Sequence, residues 1–185
     1  MNIFTLTWVL WLLSEIVLNI MNRSKMPDSK QADKKSLSFI WATIFVAITA
    51  AVFVAIYINV PIFETNLLKY TSLVLVVAGV ILRLVAIRTL GKFFTVNLSI
   101  DTEHRLIDKG LYKYIRHPSY SGSLLSFLGL ALYFNNWICL AIILIPVVSV
   151  FIYRINIEEQ LLLQQPGLYY DNYCKRTKRL IPFVY

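Results

Sequence analysis

Long apolar runs leave this chain little choice of environment. They fall at about 3–21, 37–60, 67–87, 119–134 and 137–153. A helix crossing a bilayer needs on the order of 20 apolar residues and tolerates about 17. The first three runs are ample by that measure and the last two are short. With 58% of 185 residues hydrophobic, a soluble domain would have more apolar surface than it could hide. Helices satisfy their backbone hydrogen bonds internally, as lipid demands. The expected class is therefore all-α, an integral membrane protein with five transmembrane helices. Asn135-Asn136 separates the last two spans and predicts a tight helical hairpin. The first run lacks a basic start, contains Glu15 and has no small-residue cleavage site before Arg23, so it is expected to be a span, not a signal peptide.

The formal net charge is +8, and its distribution says more than its size. Arg23, Lys25, Lys30, Lys34 and Lys35 lie in the first connection. Arg88, Lys92, Arg105, Lys109, Lys113 and Arg116 lie in the third, and Lys175, Arg176, Lys178 and Arg179 in the tail. The second connection has only Lys69 at its edge and the fourth has none. Under the positive-inside rule the N-terminus lies outside and the C-terminus in the cytoplasm, which an odd number of crossings satisfies. Cations divided among three span-flanking segments suit anionic lipid headgroups better than nucleic acid. The two cysteines, Cys139 and Cys174, give neither a disulfide framework nor a metal site.

Between the third and fourth spans the character changes. Gly110-Leu-Tyr-Lys-Tyr-Ile-Arg-His-Pro-Ser-Tyr-Ser-Gly122 packs polar, aromatic and turn-forming residues where a helix should re-enter the membrane. Ionisable groups held at a bilayer boundary point to binding or chemistry. Pro118 suits the first turn of a helix, where its missing N–H would be unpaired anyway, and places His117 near the cap. The free N–H groups of a helix start favour an anion nearby. His104 can form a pocket wall with Leu106, Ile107 and Tyr112. Residues 88–116 form the longest non-spanning segment before the tail, and their aromatic and aliphatic content argues for packing.

The fifth helix should run past the membrane surface to about Gln164 and end at Pro166-Gly167. Arg154 and Glu158, four residues apart, share a face of it, with Glu159 beside them. A surface ion pair would account for the first two, although the cation on the N-terminal side is the weaker order. Arg83, four residues inside the end of the third span, can snorkel to the surface. For Glu15, deeper in the first, a helix–helix hydrogen bond or a protonated acid accounts for it about as well as a site role. The tail, apolar at its end, is expected to fold back onto the other cytoplasmic segments.

Taken together, Arg83, Gly91, Phe94, His104-Arg-Leu-Ile107, Gly110-Leu-Tyr112, Arg116-His-Pro-Ser-Tyr-Ser-Gly122, Arg154-x-x-x-Glu158-Glu159, Gly167-x-x-Tyr170-x-x-Tyr173 and Arg179-Leu-Ile-Pro182-Phe resemble the isoprenylcysteine carboxyl methyltransferase family. The likeness covers about residues 80–185. Residues 1–79 match only as generic membrane helices within a single membrane domain, 1–185. Phospholipid N-methyltransferases and sterol reductases carry versions of the same C-terminal module.

The resemblance implies methyl transfer from S-adenosylmethionine to a lipophilic carboxylate, such as a prenylated cysteine, in a cytoplasmic pocket formed by the C-terminal half. By position, His104, Arg105, Leu106, Ile107, Tyr112, His117, Pro118, Ser119 and Tyr120 would line the cofactor pocket and Glu158 would contact the cofactor. Asn97 falls at a further cofactor position where relatives can carry glutamine. Arg154 would face the substrate carboxylate, and Arg83 matches a family arginine in the catalytic group. No metal is implied. The acceptor would enter from the bilayer, and the membrane concerned depends on the source organism. The alternatives are a phospholipid N-methyltransferase, an NADPH-dependent reductase on the same module and a non-catalytic lipid-binding protein.

Overall fold

The computed structural model describes residues 3–21, 31–64, 67–91, 94, 106–165 and 170–185. Among these there is no β-strand, only two isolated bridges. Six α-helices follow in order: α1 (Ile3–Met21), α2 (Gln31–Tyr57), α3 (Leu67–Leu90), α4 (Pro118–Tyr133), α5 (Trp137–Leu163) and α6 (Tyr170–Arg176). A short 3-10 turn at Gly110–Lys113 precedes α4. Three stretches are long and apolar enough to cross a membrane: Ser36–Tyr57, Leu68–Leu90 and Trp137–Leu163. The apolar part of α1, Leu6–Leu18, and the 16 residues of α4 are shorter. As expected, α5 continues well beyond residue 153, capping at Gln164.

The α4–α5 hairpin turns on its two asparagines. Asn135 adopts φ +47°, the left-handed region that asparagine tolerates. Its Oδ1 accepts from the amides of Ile62 and Phe63 at 3.2 and 3.0 Å. Asn136 caps α5, accepting from Ile138 and Cys139 N–H at 2.9 and 3.3 Å, while its Nδ2 donates to the Ile58 carbonyl at 2.6 Å. One end of the bundle is thereby tied to the α2–α3 connection.

The tightest helix pair is α3 with α4, and glycine makes it possible. A Cβ at Gly122 would lie 2.7 Å from the Arg83 nitrogen and 2.7 Å from the Gly79 carbonyl oxygen. One at Gly129 would lie 2.7 Å from the Ser72 carbonyl oxygen. The backbones touch, as small residues allow between helices in lipid. Cys139, Ile143 and Val147 of α5 lie fully buried in the core, which includes Ile44 and Ala51 of α2. A file of edge-on rings then climbs from Trp11 through Phe127 and Phe151 to Tyr120, with centroids 5.2, 6.1 and 5.4 Å apart. It ends against His117, 5.8 Å from Tyr120.

Candidate active site

The end of the bundle opposite the asparagine hairpin collects the buried charge. Pro118 is the first residue of α4 and His117 stands at its cap, as the sequence predicts. The tail runs alongside: Arg116 N–H donates to Lys178 O at 2.7 Å, His117 N–H to Arg179 O at 3.0 Å and Lys178 N–H to Tyr114 O at 3.1 Å. The expected fold-back of the tail is thus a backbone ladder against the entry to α4.

Glu159 holds that arrangement together. Its Oε1 lies 2.7 Å from Arg116 Nε and 3.2 Å from His117 Nε2, and its Oε2 lies 2.8 Å from Arg179 Nη2. Its side chain is 7% exposed, a burial a carboxylate tolerates only when paired and hydrogen-bonded. Arg116 reaches on with Nη1 to the carbonyls of Cys174 at 3.1 Å and Thr177 at 2.5 Å.

Glu158 is turned about 100° around the helix from its neighbour and is 27% exposed. Its Oε2 accepts from the Tyr120 hydroxyl at 3.1 Å, and its Oε1 lies 3.9 Å from His117 Nδ1. One turn earlier, Arg154 is 1% exposed, donates to the Ser36 hydroxyl of α2 and adjoins Tyr120. Tyr112 is buried in the 3-10 turn. Burial, with Glu158 nearby, pushes its phenol well up, so it remains a hydrogen-bond donor. Tyr173 donates to the Tyr112 carbonyl at 2.6 Å, and burial likewise raises its phenol. Burial and the nearby Glu159 carboxylate do the same to Tyr170.

His117, Pro118, Tyr120, Tyr112, Arg154 and Glu158 therefore converge. Leu106 packs on Tyr170 and Tyr173 at the edge of this group, and Ile107 follows it, half-buried. Ser119 faces α3 instead. Arg83 donates from Nη1 to Ser119 Oγ at 3.2 Å and Ser123 Oγ at 2.5 Å, and its Nη2 lies 3.1 Å from Glu15 Oε2. Arg83 turns inward to an ion pair with α1 and does not snorkel to the surface, while Glu15 makes a helix–helix contact of the kind expected of it. Asn97, His104 and Arg105 lie outside the described residues.

Sequence reasoning did not assign Glu159, Arg116, Arg179 and Ser36 their places here. The doubled carboxylate was a signal, since two acids beside one arginine require further cations. Ser36, at the start of an apolar run, carried none.

Helices able to cross a membrane, with ionisable groups gathered at one end of the bundle, define an integral membrane protein with a polar cluster at that end. A model of the isoprenylcysteine carboxyl methyltransferase family matches residues 72–164. This chain belongs to that family. It is 37% identical over 115 residues to protein-S-isoprenylcysteine O-methyltransferase B of Arabidopsis thaliana, covering 61% of this chain and 58% of the relative. A probable protein-S-isoprenylcysteine O-methyltransferase of Oryza sativa subsp. japonica is 31% identical over 118 residues, 63% of this chain and 62% of that one. The chain thus spans about three fifths of these relatives' length. The solved structure of the eukaryotic intramembrane Ras methyltransferase, isoprenylcysteine carboxyl methyltransferase, aligns with a TM-score of 0.56 and 26% identity, over 86% of this chain and 55% of that one.

Proposed function

We propose that this chain is an S-adenosylmethionine-dependent methyltransferase that esterifies the carboxylate of a lipophilic acceptor, a prenylated cysteine or a similar lipid-like acid. The observation that carries the reading is His117 set between Glu158 and Glu159, with Tyr120 joining Glu158 to the neighbourhood of Arg154.

The residues fit a cofactor bearing an amine, ribose hydroxyls and a carboxylate. Glu158 is the carboxylate of the pair left partly exposed, suited to the amine or the hydroxyls. The start of α4 favours the carboxylate. Tyr112, His117, Pro118 and Tyr120 pack around these points, with Leu106 and Ile107 beside them. When bound, the cofactor supplies a methyl group on a sulfonium that is already a good leaving group. Methylation of a carboxylate then needs no general base. It needs the reactants aligned and stripped of water. Arg154 offers a planar fork to the acceptor carboxylate from a nearly solvent-free position. Arg83 contributes a second fixed positive charge at the start of α4.

In this reading the chain is one membrane domain with five crossings, N-terminus outside and C-terminus cytoplasmic. Residues 80–185 form the catalytic module at the cytoplasmic face. The acceptor's tail enters between helices from the bilayer while its head meets the cofactor from the water side.

The test uses the full chain in lipid nanodiscs. S-adenosylhomocysteine is expected to raise its thermal midpoint, and labelled methyl to pass to prenylcysteine-like acids. Stabilisation by NADPH alone would favour the reductase. Labelled phospholipid without labelled acid would favour amine methylation.

A further inference from the structure

The tail ends in an unusual display. Val184 N–H donates to the Ile181 carbonyl at 3.2 Å, closing a turn with Pro182 second and Phe183 third. Phe183 has φ +66°. That is the pattern of a type II turn, whose third position is normally glycine because bulky residues strain there. Strained backbone persists where the surroundings or a function require it. Here it turns an aromatic ring outward: Phe183 is 85% exposed, Val184 70% and Ile181 55%.

The position of this tip is set by its neighbour. Leu180 is buried, and its carbonyl accepts from Ser121 Oγ at 2.6 Å, which fixes the turn beside the first turn of α4. The 16 residues of α4 extend about 24 Å, short of the ~30 Å hydrocarbon thickness. Its far end is pinned by Asn135 to the opposite connection. In the five-crossing reading so short a helix would begin at or below the headgroup level, and the tip beside it would lie at the same depth.

We propose that residues 181–184 form a membrane-interface anchor. The apolar tip inserts among lipid chains beside the start of α4, while exposed Lys109, Lys113 and Lys178 meet anionic headgroups. Aromatic and aliphatic tips with adjoining lysines are the composition of interfacial anchors. A second copy is the poorer occupant, because two such faces would bring like charges together. The anchor bears on the site without depending on any reaction there. Arg179, two residues before Ile181, holds Glu159, so lipid contact at the tip secures the segment that orients His117.

The experiment places one fluorophore on the tip. In full-length protein with Cys174→Ser, Phe183→Cys is labelled with an environment-sensitive dye and reconstituted into nanodiscs. Cys139 is fully buried and stays unlabelled. Val184→Cys serves as a second tip position and Lys175→Cys, on the exposed face of α6, as the aqueous reference. The expected result is blue-shifted tip emission, quenched several-fold by lipid-borne nitroxide and little by iodide, with a further blue shift when phosphatidylserine is included. Lys175 should show the reverse. Tip labels quenched like Lys175 would overturn the proposal. So would a blue shift that disappears on diluting protein to one chain per disc, which would indicate a second copy.

Discussion

His117 Nδ1 lies 3.9 Å from Glu158 Oε1, and the opposite nitrogen of the same ring lies 3.2 Å from Glu159 Oε1. One imidazole thus joins two consecutive carboxylates that have different surroundings. Glu159 is enclosed by Arg116 and Arg179, whereas Glu158 is partly open and holds Tyr120. The pair separates an enclosed acid from a partly open one.

Glu159→Gln should therefore act on the fold. It removes a buried charge opposing two partly buried arginines, and breaking such a buried pair costs about 3–5 kcal/mol. Glu158→Gln should leave the thermal midpoint nearly unchanged and weaken S-adenosylhomocysteine binding. Calorimetry and thermal unfolding of both variants separate the roles. An equal loss of stability in both would contradict the division.

Much of this architecture is legible in the chain, for reasons that differ by element. Hydropathy marks the spans because lipid constrains whole segments. Pro118 and Asn135-Asn136 mark ends because their backbone limits are local. The Glu159 cluster is not local. Arg116 lies 43 residues before it and Arg179 20 after, so only folding discloses their meeting. Gly122 was visible as a letter in a motif, but its closeness to Arg83 and Gly79 required the α3–α4 crossing. Ser36 gave no sign at all, since a serine at the edge of an apolar run usually marks a boundary.

Ser36 leads to a second prediction. It meets the buried Arg154 guanidinium from α2, outside the segment matched by the family model. Ser36→Ala should raise the acceptor KM about tenfold, the value of one hydrogen bond to a charged group, while cofactor affinity holds. Ser36→Thr should recover most of the loss. Arg154→Lys should impair acceptor use further because a fork becomes a point charge. Unchanged acceptor saturation in Arg154→Lys would remove that arginine from the carboxylate.

Arg83 and Glu15 can be separated in the same way. Glu15→Gln leaves a largely buried guanidinium without its counter-charge, so the midpoint should fall while kcat in the folded fraction is retained. Arg83→Met should lower kcat in the folded fraction by about tenfold, the value of one hydrogen bond to a charged group. Equal kcat in folded Arg83→Met would make the pair structural.

The close helix crossing gives a prediction with a built-in control. Gly122→Ala would place a methyl group against the Arg83 and Gly79 backbones, which no side-chain rotation can relieve. Overpacking of this kind costs about 1–3 kcal/mol and should push α4 from α3, loosening Ser119 and Ser123 from Arg83. Gly91→Ala, with nothing within 4 Å of the added carbon but φ +55°, tests backbone strain without the crowding. Only Gly122→Ala should reduce S-adenosylhomocysteine affinity; equal affinity in both variants would show that the crossing does not position the site.

Tyr120 tests whether packing or polarity dominates beside the partly open Glu158. Its ring closes the file from Trp11 through Phe127 and Phe151, and its hydroxyl donates to Glu158. Tyr120→Phe keeps the ring and frees the Glu158 carboxylate to turn. It should lower cofactor affinity by about tenfold, one hydrogen bond to a charge, with stability preserved. Tyr120→Ala removes the ring as well, and the cavity should cost about 3–5 kcal/mol of stability besides. If Phe binds S-adenosylhomocysteine as tightly as the native residue while Ala does not, Tyr120 supports the site through its ring and its hydrogen bond to Glu158 is dispensable.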